Sequence, residues 1–212
     1  QIRKVLNEHP AIEYKSAGLS DQQILQHIGA SETAVEGIFF PDTYYFIKGS
    51  SDLDILQRAY KTMQNHLQNY WSERVESLPL NTPYEALILA SIIEKETGAE
   101  SDRAEIAGVF INRLRKGMKL QTDPTVIYGL GEQFDGNLRK KDLLADQEYN
   151  TYTRAGLPPT PIALPSLASI RAALNPAETD ALYFVAKGNG ESEFSTNLAD
   201  HNKAVNKYQK QQ

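Results

Sequence analysis

The sequence feature that most constrains the fold is an apolar run, Ala86 to Ile93, which ends abruptly in Glu94-Lys95-Glu96. Directly before the run stands Thr82-Pro83-Tyr84-Glu85, with a preferred N-cap residue, a proline suited to the first helical position and a glutamate that completes a capping box. These signals predict a helix that begins at Pro83. Because the run is apolar on nearly all sides, we expect the middle of this helix to be buried on most faces. The sequence therefore predicts a buried helix that ends in carboxylates.

Carboxylates at such a helix end suit the chemistry of glycoside cleavage. That reaction needs a carboxylic acid that is still protonated near neutral pH, and apolar surroundings raise the pKa of a carboxyl group towards this range. Glu94 and Glu96 lie about 200° apart around an α-helix, so only one of them can face a given cleft. The spacing leaves open a plainer interpretation, in which both glutamates are solvated acids at a helix end.

The composition argues against several other classes of protein. With 41% hydrophobic and 23% charged residues, the 212-residue chain is typical of a globular protein rather than a disordered one. A formal net charge of -5 without a basic stripe argues against a nucleic-acid partner. The absence of cysteine excludes disulfides, thiolate metal sites and a cysteine nucleophile. The histidines are scattered without the spacing of metal ligands, so we expect no metal and no cofactor.

Local signals predict a mostly helical chain with one β-hairpin. The predicted elements are two short helices before residue 35, the second opened by a capping box at Ser20 and stopped by Gly29; extended chain with a turn over 37–47; helices over about 52–77 and 102–116; loop or short strand over 119–128; an ordered proline-rich loop over 149–165; a short helix after Ser166; a hairpin over 182–195; and a terminal helix to about 210. Such an order of elements is typical of an α+β protein.

A series of motifs occurs along the chain in a fixed order. The segments are Glu36–Tyr44, Ala90–Thr97, Val109–Leu114, Leu120–Gly129, Tyr149–Tyr152, Gly156–Pro159, and Asn197 followed by His201-Asn202. In content and order they resemble the motifs of the YceG-like (MltG) family of endolytic murein transglycosylases. The resemblance runs through most of the chain.

The resemblance implies a fold and a cellular setting. It implies an α+β, mostly helical, lysozyme-like transglycosylase catalytic domain with a small β-hairpin over residues 36–212. Residues 1–35 would then be the end of a preceding LysM-like module, or linker helices. Members of the family also have an N-terminal transmembrane anchor. We therefore expect a single-pass protein of the inner, or cell, membrane whose catalytic domain faces the periplasm or exterior.

The resemblance also assigns roles to residues. The catalytic glutamate of the family falls on Glu96, and its pairing with Thr97 looks like the Glu-Ser pair of other lytic transglycosylases. The implied substrate-binding residues are Glu94, Thr97, Gln121, Thr122, Asp123, Tyr128, Tyr149, Asn150, Thr151 and Tyr152. From the residues alone, Tyr149 and Tyr152 could instead pack beneath the proline-rich loop, and Asp123 could form an Asx turn before Pro124.

The implied reaction is a non-hydrolytic cleavage of the MurNAc-GlcNAc β-1,4 bond of peptidoglycan glycan strands. Glu96 would act as acid and then as base, and the product would be a 1,6-anhydroMurNAc end that terminates the elongation of a nascent strand. Peptidoglycan synthases, the penicillin-binding proteins, are the expected partners. Two alternatives stay open: a hydrolysing muramidase with Asp123 as its second carboxylate, and a non-catalytic glycan-binding or divisome scaffold.

Overall fold

The computed structural model of the chain describes residues 2–96 and 99–209. In chain order the elements are α1 (Ile2–Asn7), α2 (Asp21–Ile28), α3 (Asp52–Ser72), α4 (Pro83–Glu96), α5 (Glu100–Arg115), α6 (Asp123–Leu130), a 3₁₀ turn (Gly131–Gln133), α7 (Lys140–Leu144), α8 (Leu167–Leu174), β1 (Tyr183–Ala186), β2 (Ser192–Ser195) and α9 (Leu198–Tyr208). Roughly half of the described residues are helical, and β1 and β2 form a two-stranded antiparallel sheet. The α+β class predicted from the sequence is confirmed.

Side chains at helix starts explain where several helices begin. Ser20 caps α2 and forms the predicted capping box with Gln23, and Gly29 ends that helix in the left-handed conformation. Ser51 caps α3, and Ser166 caps α8. These hydroxyls accept hydrogen bonds from backbone N–H groups that have no partner within the helix. The predicted starts of these helices are confirmed, whereas α3 ends at Ser72 rather than near residue 77.

Of two predictions about the segment after α4, the helix over about 102–116 is confirmed with a shifted start, and the assignment of residues 119–128 is wrong. Helix α5 begins at Glu100, so Ser101 lies inside its first turn instead of before it. Residues 119–128, predicted as loop or short strand, contain the first turns of α6. Pro124 stands in the first turn of α6, where its missing N–H costs nothing, and Asp123 supplies an acidic group near the positive end of the helix dipole.

Helix α4 lies at the centre of the core. Every residue from Ala86 to Ile93 is buried, and α4 packs against α3, α5, α6 and α8. The run includes one polar residue, Ser91, whose hydroxyl donates to the carbonyl of Ile88 (2.7 Å) and accepts from the amide of Ile162 (3.0 Å). The predicted burial of this helix is confirmed, and Ser91 fastens the proline-rich loop to it.

The leading segment shares this core. Ile24, Leu25 and Ile28 of α2 are buried in the same cluster as residues of α3 and α4. The buried carboxylate of Asp52 accepts the backbone N–H groups of Lys15 (2.9 Å) and Ser16 (3.2 Å), which ties the segment before α2 to the start of α3. The predicted boundary near residue 35 therefore lies between segments that pack together. Within the described ranges, no helix is both long and apolar enough to cross a membrane.

Candidate active site

The carboxyl-terminal residue of α4, Glu96, lines a cleft whose cavity is about 480 Å³. One part of the wall is formed by Gln121, Thr122, Asp123 and Tyr152. The remainder comes from the hairpin and α9, with Tyr183, Phe184, Val185, Ala186, Ser192, Leu198, His201, Val205 and Gln209, and from Phe110, Arg113 and Leu120. Four of the predicted substrate-binding residues thus share a cavity with the predicted catalytic glutamate.

The Glu96 carboxyl group is placed where its acid form is favoured. Burial raises its pKa above the usual range, and the nearby carboxylate of Asp123 raises it further. The hydroxyl of Thr122, which donates to Oε1 of Glu96, and the guanidinium of Arg113 act in the opposite direction. The net raised pKa means that Glu96 retains its proton closer to neutral pH than an exposed glutamate does.

Glu94 has different surroundings, although it lies only two residues earlier. Its Oε2 accepts hydrogen bonds from the amide of Ser166 (2.9 Å), the hydroxyl of Ser166 (2.6 Å) and the hydroxyl of Ser169 (2.6 Å). Burial alone would raise the pKa of Glu94, but these hydrogen bonds and the charge of Arg103 hold that pKa below its usual value. Glu94 is therefore an ionised anchor between α4 and the start of α8.

Asp123 and Tyr152 form a direct pair in the cleft wall. The phenol of Tyr152 donates to Oδ1 of Asp123 at 2.5 Å. Burial and this hydrogen bond raise the pKa of Tyr152, so the phenol keeps its proton and acts as the donor. Asp123 is exposed to the cleft, where its second carboxylate oxygen can accept a hydroxyl group of a sugar.

A cationic residue that the sequence prediction missed lies in the same cleft. Arg113 is 7% exposed, and its guanidinium donates to the carbonyls of Leu182 (2.6 Å), Leu120 (2.8 Å) and Lys119 (3.2 Å). It also lies 5.0 Å from the centroid of the Tyr183 ring. The available signal in the sequence was a charged residue on the apolar side of a predicted helix. A buried arginine at such a position requires several hydrogen-bond acceptors around it.

His201 and Tyr183 form a stacked pair in this wall, with ring centroids 5.1 Å apart and an interplanar angle of 24°. Burial and the charge of Arg113 lower the pKa of His201, which favours the neutral imidazole. An aromatic pair beside a cleft is a surface on which the apolar face of a sugar ring can stack. Neither residue was among those predicted to bind substrate.

The other predicted site residues that the structure describes do not line the Glu96 cleft. Tyr149 donates to or accepts from Thr160 (2.8 Å), and its ring contacts that of Tyr128, with centroids 4.8 Å apart. The side-chain amide of Asn150 is fully buried and donates to the carbonyls of residues 142, 143 and 145. Thr151 is buried beneath Thr122. Thr97 lies outside the described residues.

Comparison with known proteins identifies the family. The model of the YceG-like family matches residues 1–207. The chain belongs to the YceG-like family. Its similarity to a crystal structure of a yceG-like protein from Listeria monocytogenes has a TM-score of 0.73 at 34% sequence identity, covering 95% of this chain and 66% of the other.

Curated relatives in the family carry a functional name. An endolytic murein transglycosylase of Bacillus subtilis is 45% identical over 175 residues, which is 82% of this chain and 48% of the relative. An endolytic murein transglycosylase of Streptococcus pneumoniae is 33% identical over 177 residues, which is 81% of this chain and 32% of the relative. The chain thus spans about half the length of the first relative and about a third of the second.

Proposed function

We propose that this chain is the catalytic part of an endolytic lytic transglycosylase that cleaves the MurNAc-GlcNAc β-1,4 bond of peptidoglycan glycan strands. The observation that carries the proposal is the position of Glu96, a partly buried carboxyl group with a raised pKa that lines a cleft. The name shared by the Bacillus and Streptococcus relatives supports the substrate class.

In the proposed reaction Glu96 acts twice. Its protonated carboxyl gives a proton to the glycosidic oxygen, the bond from that oxygen to C1 of MurNAc breaks, and GlcNAc leaves with a hydroxyl group at C4. The C6 hydroxyl of the same MurNAc then attacks C1 while the Glu96 carboxylate takes its proton. The product is a 1,6-anhydroMurNAc end, and the enzyme returns to its protonated form.

The geometry around Glu96 fits a reaction in which the substrate supplies the nucleophile. Glycosidases that use water or a covalent intermediate need a second carboxylate as base or nucleophile. Asp123 is the candidate for that role in the Glu96 cleft, but its Oδ1 already accepts the Tyr152 phenol at 2.5 Å. We assign Asp123 and Tyr152 to the binding of sugar hydroxyl groups, and Gln121 to the same wall.

The hydrolase alternative has one observation in its favour, because Asp123 shares the cavity with Glu96. The products separate the two reactions. Purified peptidoglycan is incubated with the protein in water enriched in heavy oxygen, and the muropeptides are analysed by mass spectrometry. We expect anhydroMurNAc ends within strands and no heavy oxygen at C1. Reducing MurNAc ends carrying heavy oxygen would establish a muramidase, and binding without any product would favour a scaffold.

We also propose the cellular role implied by this chemistry. Cleavage within a strand during its synthesis would end its elongation, which requires the enzyme to act beside peptidoglycan synthases on the outer face of the cell membrane. The same proposal includes a membrane anchor outside residues 1–212 and a leading module that ends near residue 35. Co-purification of the full-length protein with penicillin-binding proteins from solubilised membranes, against a matched variant without residues 36–212, tests the partner.

A further inference from the structure

A closed ring of hydrogen bonds lies beneath the residue that contacts Glu96. It joins Thr122, Thr125 and Thr151, which are 2%, 0% and 3% exposed. The amide of Thr122 donates to Oγ1 of Thr151 (3.1 Å), the two hydroxyls of Thr151 and Thr125 are 2.9 Å apart, and the Thr125 hydroxyl donates to the carbonyl of Thr122 (2.8 Å). Each hydroxyl has one proton, so either Thr125 donates to the carbonyl of Thr122 and Thr151 donates to Thr125, or Thr125 donates to Thr151 and Thr151 donates to that carbonyl at 3.4 Å.

This ring leaves the hydroxyl of Thr122 free for Glu96. Thr122 occupies the N-cap position of α6, where a threonine hydroxyl usually accepts a backbone N–H of the first turn. In this protein the hydroxyl makes no such bond and instead donates to Oε1 of Glu96. The side chain has therefore been diverted from stabilising its own helix to contacting the carboxyl group in the cleft.

The backbone before Thr122 also depends on Thr151. Gln121 has a φ of 51°, in the left-handed region that residues with a side chain rarely adopt. Its amide donates to the carbonyl of Thr151 at 3.1 Å. Thr151 thus holds two successive amides, one with its carbonyl and one with its hydroxyl. An unfavourable conformation next to a functional group persists only when its surroundings fix it in several ways.

We propose that Thr151 and Thr125 are positioning residues for the reaction of Glu96, acting through Thr122 without touching the substrate. The proposal rests on the proposed function. It revises the expectation that Thr122 and Thr151 bind the glycan, because both are almost fully buried. The Thr122 hydroxyl can donate to ionised Glu96 and accept from protonated Glu96, so a single rotatable group serves both halves of the reaction.

The charged and titratable groups around Glu96 give the sign of the expected pH effect. Arg113 of α5 favours the carboxylate, Asp123 of α6 favours the acid, and the hydroxyl of Thr122 favours the carboxylate. The protonated phenol of Tyr152 completes the surroundings on the loop side. Displacement of Thr122 removes a donor to the carboxylate, so the pKa of Glu96 rises and the alkaline limb of the pH–rate profile moves to higher pH.

The test compares Thr151→Val, which removes the hydroxyl at nearly constant volume, with Thr151→Ser, which keeps it. Thr62→Val is the matched control, since Thr62 lies on α3, bonds the side chain of Tyr44 and does not line the Glu96 cavity. On soluble glycan strands we expect Thr151→Val to lower kcat by about 10- to 100-fold with KM unchanged, as for a small misplacement of a catalytic group. Thr151→Ser should retain most of kcat.

Several results would overturn the proposal. A raised KM with unchanged kcat would make Thr151 a substrate-binding residue. An equal loss in Thr151→Ser and Thr151→Val would mean that the hydroxyl is irrelevant. In the double variant with Thr125→Val, losses that multiply would disprove a shared ring, because residues of one network are expected to be non-additive. If Thr151→Val does not fold, Thr125→Val opens the same ring at another bond and takes its place.

A titration separates failure of this proposal from failure of the proposed function. The carboxyl carbon of Glu96, labelled with a heavy isotope, is followed by NMR in wild type, Thr151→Val and Thr151→Ser, and needs no turnover. A higher pKa of Glu96 in Thr151→Val alone supports the positioning role even if no anhydro product forms. An unchanged pKa in both variants would refute it even if the wild-type enzyme is active.

Discussion

The two sides of the last turn of α4 differ in what surrounds their glutamates. On the side that faces α8, three donors from Ser166 and Ser169 converge on a single oxygen of Glu94. On the side that faces the cleft, Glu96 accepts a hydrogen bond from the hydroxyl of Thr122, as far as the described residues show. The carboxylate of Asp123 lies nearby. The pKa of Glu94 is lowered and that of Glu96 is raised.

This difference shows how one helix turn can supply both a structural anion and a candidate acid. The two carboxyl groups have the same chemistry in isolation, and a raised or lowered pKa comes from their partners. Hydrogen bonds to Glu94 favour its charge and fasten α4 to the start of α8. That attachment fixes the end of α4, and therefore also the position from which Glu96 enters the cleft.

The largest expected effect follows the loss of the acid itself. We expect Glu96→Gln to lower the rate of anhydroMurNAc formation by roughly 10²- to 10⁴-fold, because the residue supplies both general acid and general base. The matched variant is Glu94→Gln, and release of muropeptides from purified peptidoglycan is the measurement. An active Glu96→Gln variant beside an inactive Glu94→Gln variant would reverse the two assignments.

Loss of the Glu94 carboxylate should lower the stability of the fold more than the catalytic rate. We expect Glu94→Gln to lower the free energy of unfolding by about 1–3 kcal/mol, because buried donors lose a charged acceptor. Denaturant unfolding at neutral pH measures the loss, with Glu96→Gln as control. Since the folded pKa of Glu94 lies below its unfolded value, its stabilising effect is complete above about pH 4.3 and disappears as the pH falls through the lowered pKa.

The lowered pKa of Glu94 gives a further check on the Glu94→Gln variant. The difference in unfolding free energy between wild type and Glu94→Gln should shrink when the pH is lowered below the usual range of a glutamate. A difference that stays constant or grows on acidification would mean that the charge of Glu94 does not stabilise the fold.

Removal of the Ser169 hydroxyl, one donor to Glu94, should lower the free energy of unfolding less than removal of the Glu94 carboxylate. Ser169→Ala leaves Glu94 with the amide and hydroxyl of Ser166, so we expect a loss of about 1 kcal/mol in the free energy of unfolding. Thermal and denaturant unfolding measure it. A loss as large as that of Glu94→Gln would indicate that Ser169 stabilises the protein through packing instead.

The smallest effect is expected at the charge beside Glu96. Asp123→Asn removes a negative charge that raises the pKa of Glu96, so that pKa falls and the alkaline limb of kcat/KM moves to lower pH. The pH–rate profiles of wild type and variant are compared at constant ionic strength. A shift to higher pH, or complete loss of activity at every pH, would instead favour Asp123 as a second catalytic carboxylate.

Features encoded locally were predictable from the sequence. The capping residues Ser20, Ser51 and Ser166 mark three helix starts, and the apolar run predicts the burial of α4. The roughly opposite directions of Glu94 and Glu96 follow from helical spacing alone. These properties depend on neighbours within a turn or two, so the sequence contains the whole signal.

Features that depend on distant segments were not predictable. Helix α6 was missed because residues 119–128 mix β-branched and turn-forming residues, and its start is fixed by contacts with Thr151. Arg113 and His201 reach the cleft from α5 and α9, and both of these helices pack against the hairpin. The contact between Thr122 and Glu96 joins residues that no local pattern relates. Likeness to a lysozyme-type fold stays a prediction.

One measurement addresses the central claim, which is that different hydrogen-bond and charge partners give the two glutamates different roles. An NMR titration of labelled glutamate carboxyl carbons, assigned with Glu94→Gln and Glu96→Gln, reports both pKa values in one folded protein. We predict that Glu96 titrates above the usual glutamate value of about 4.3 and Glu94 below it. The reverse order, or two values at the ordinary position, would contradict the account.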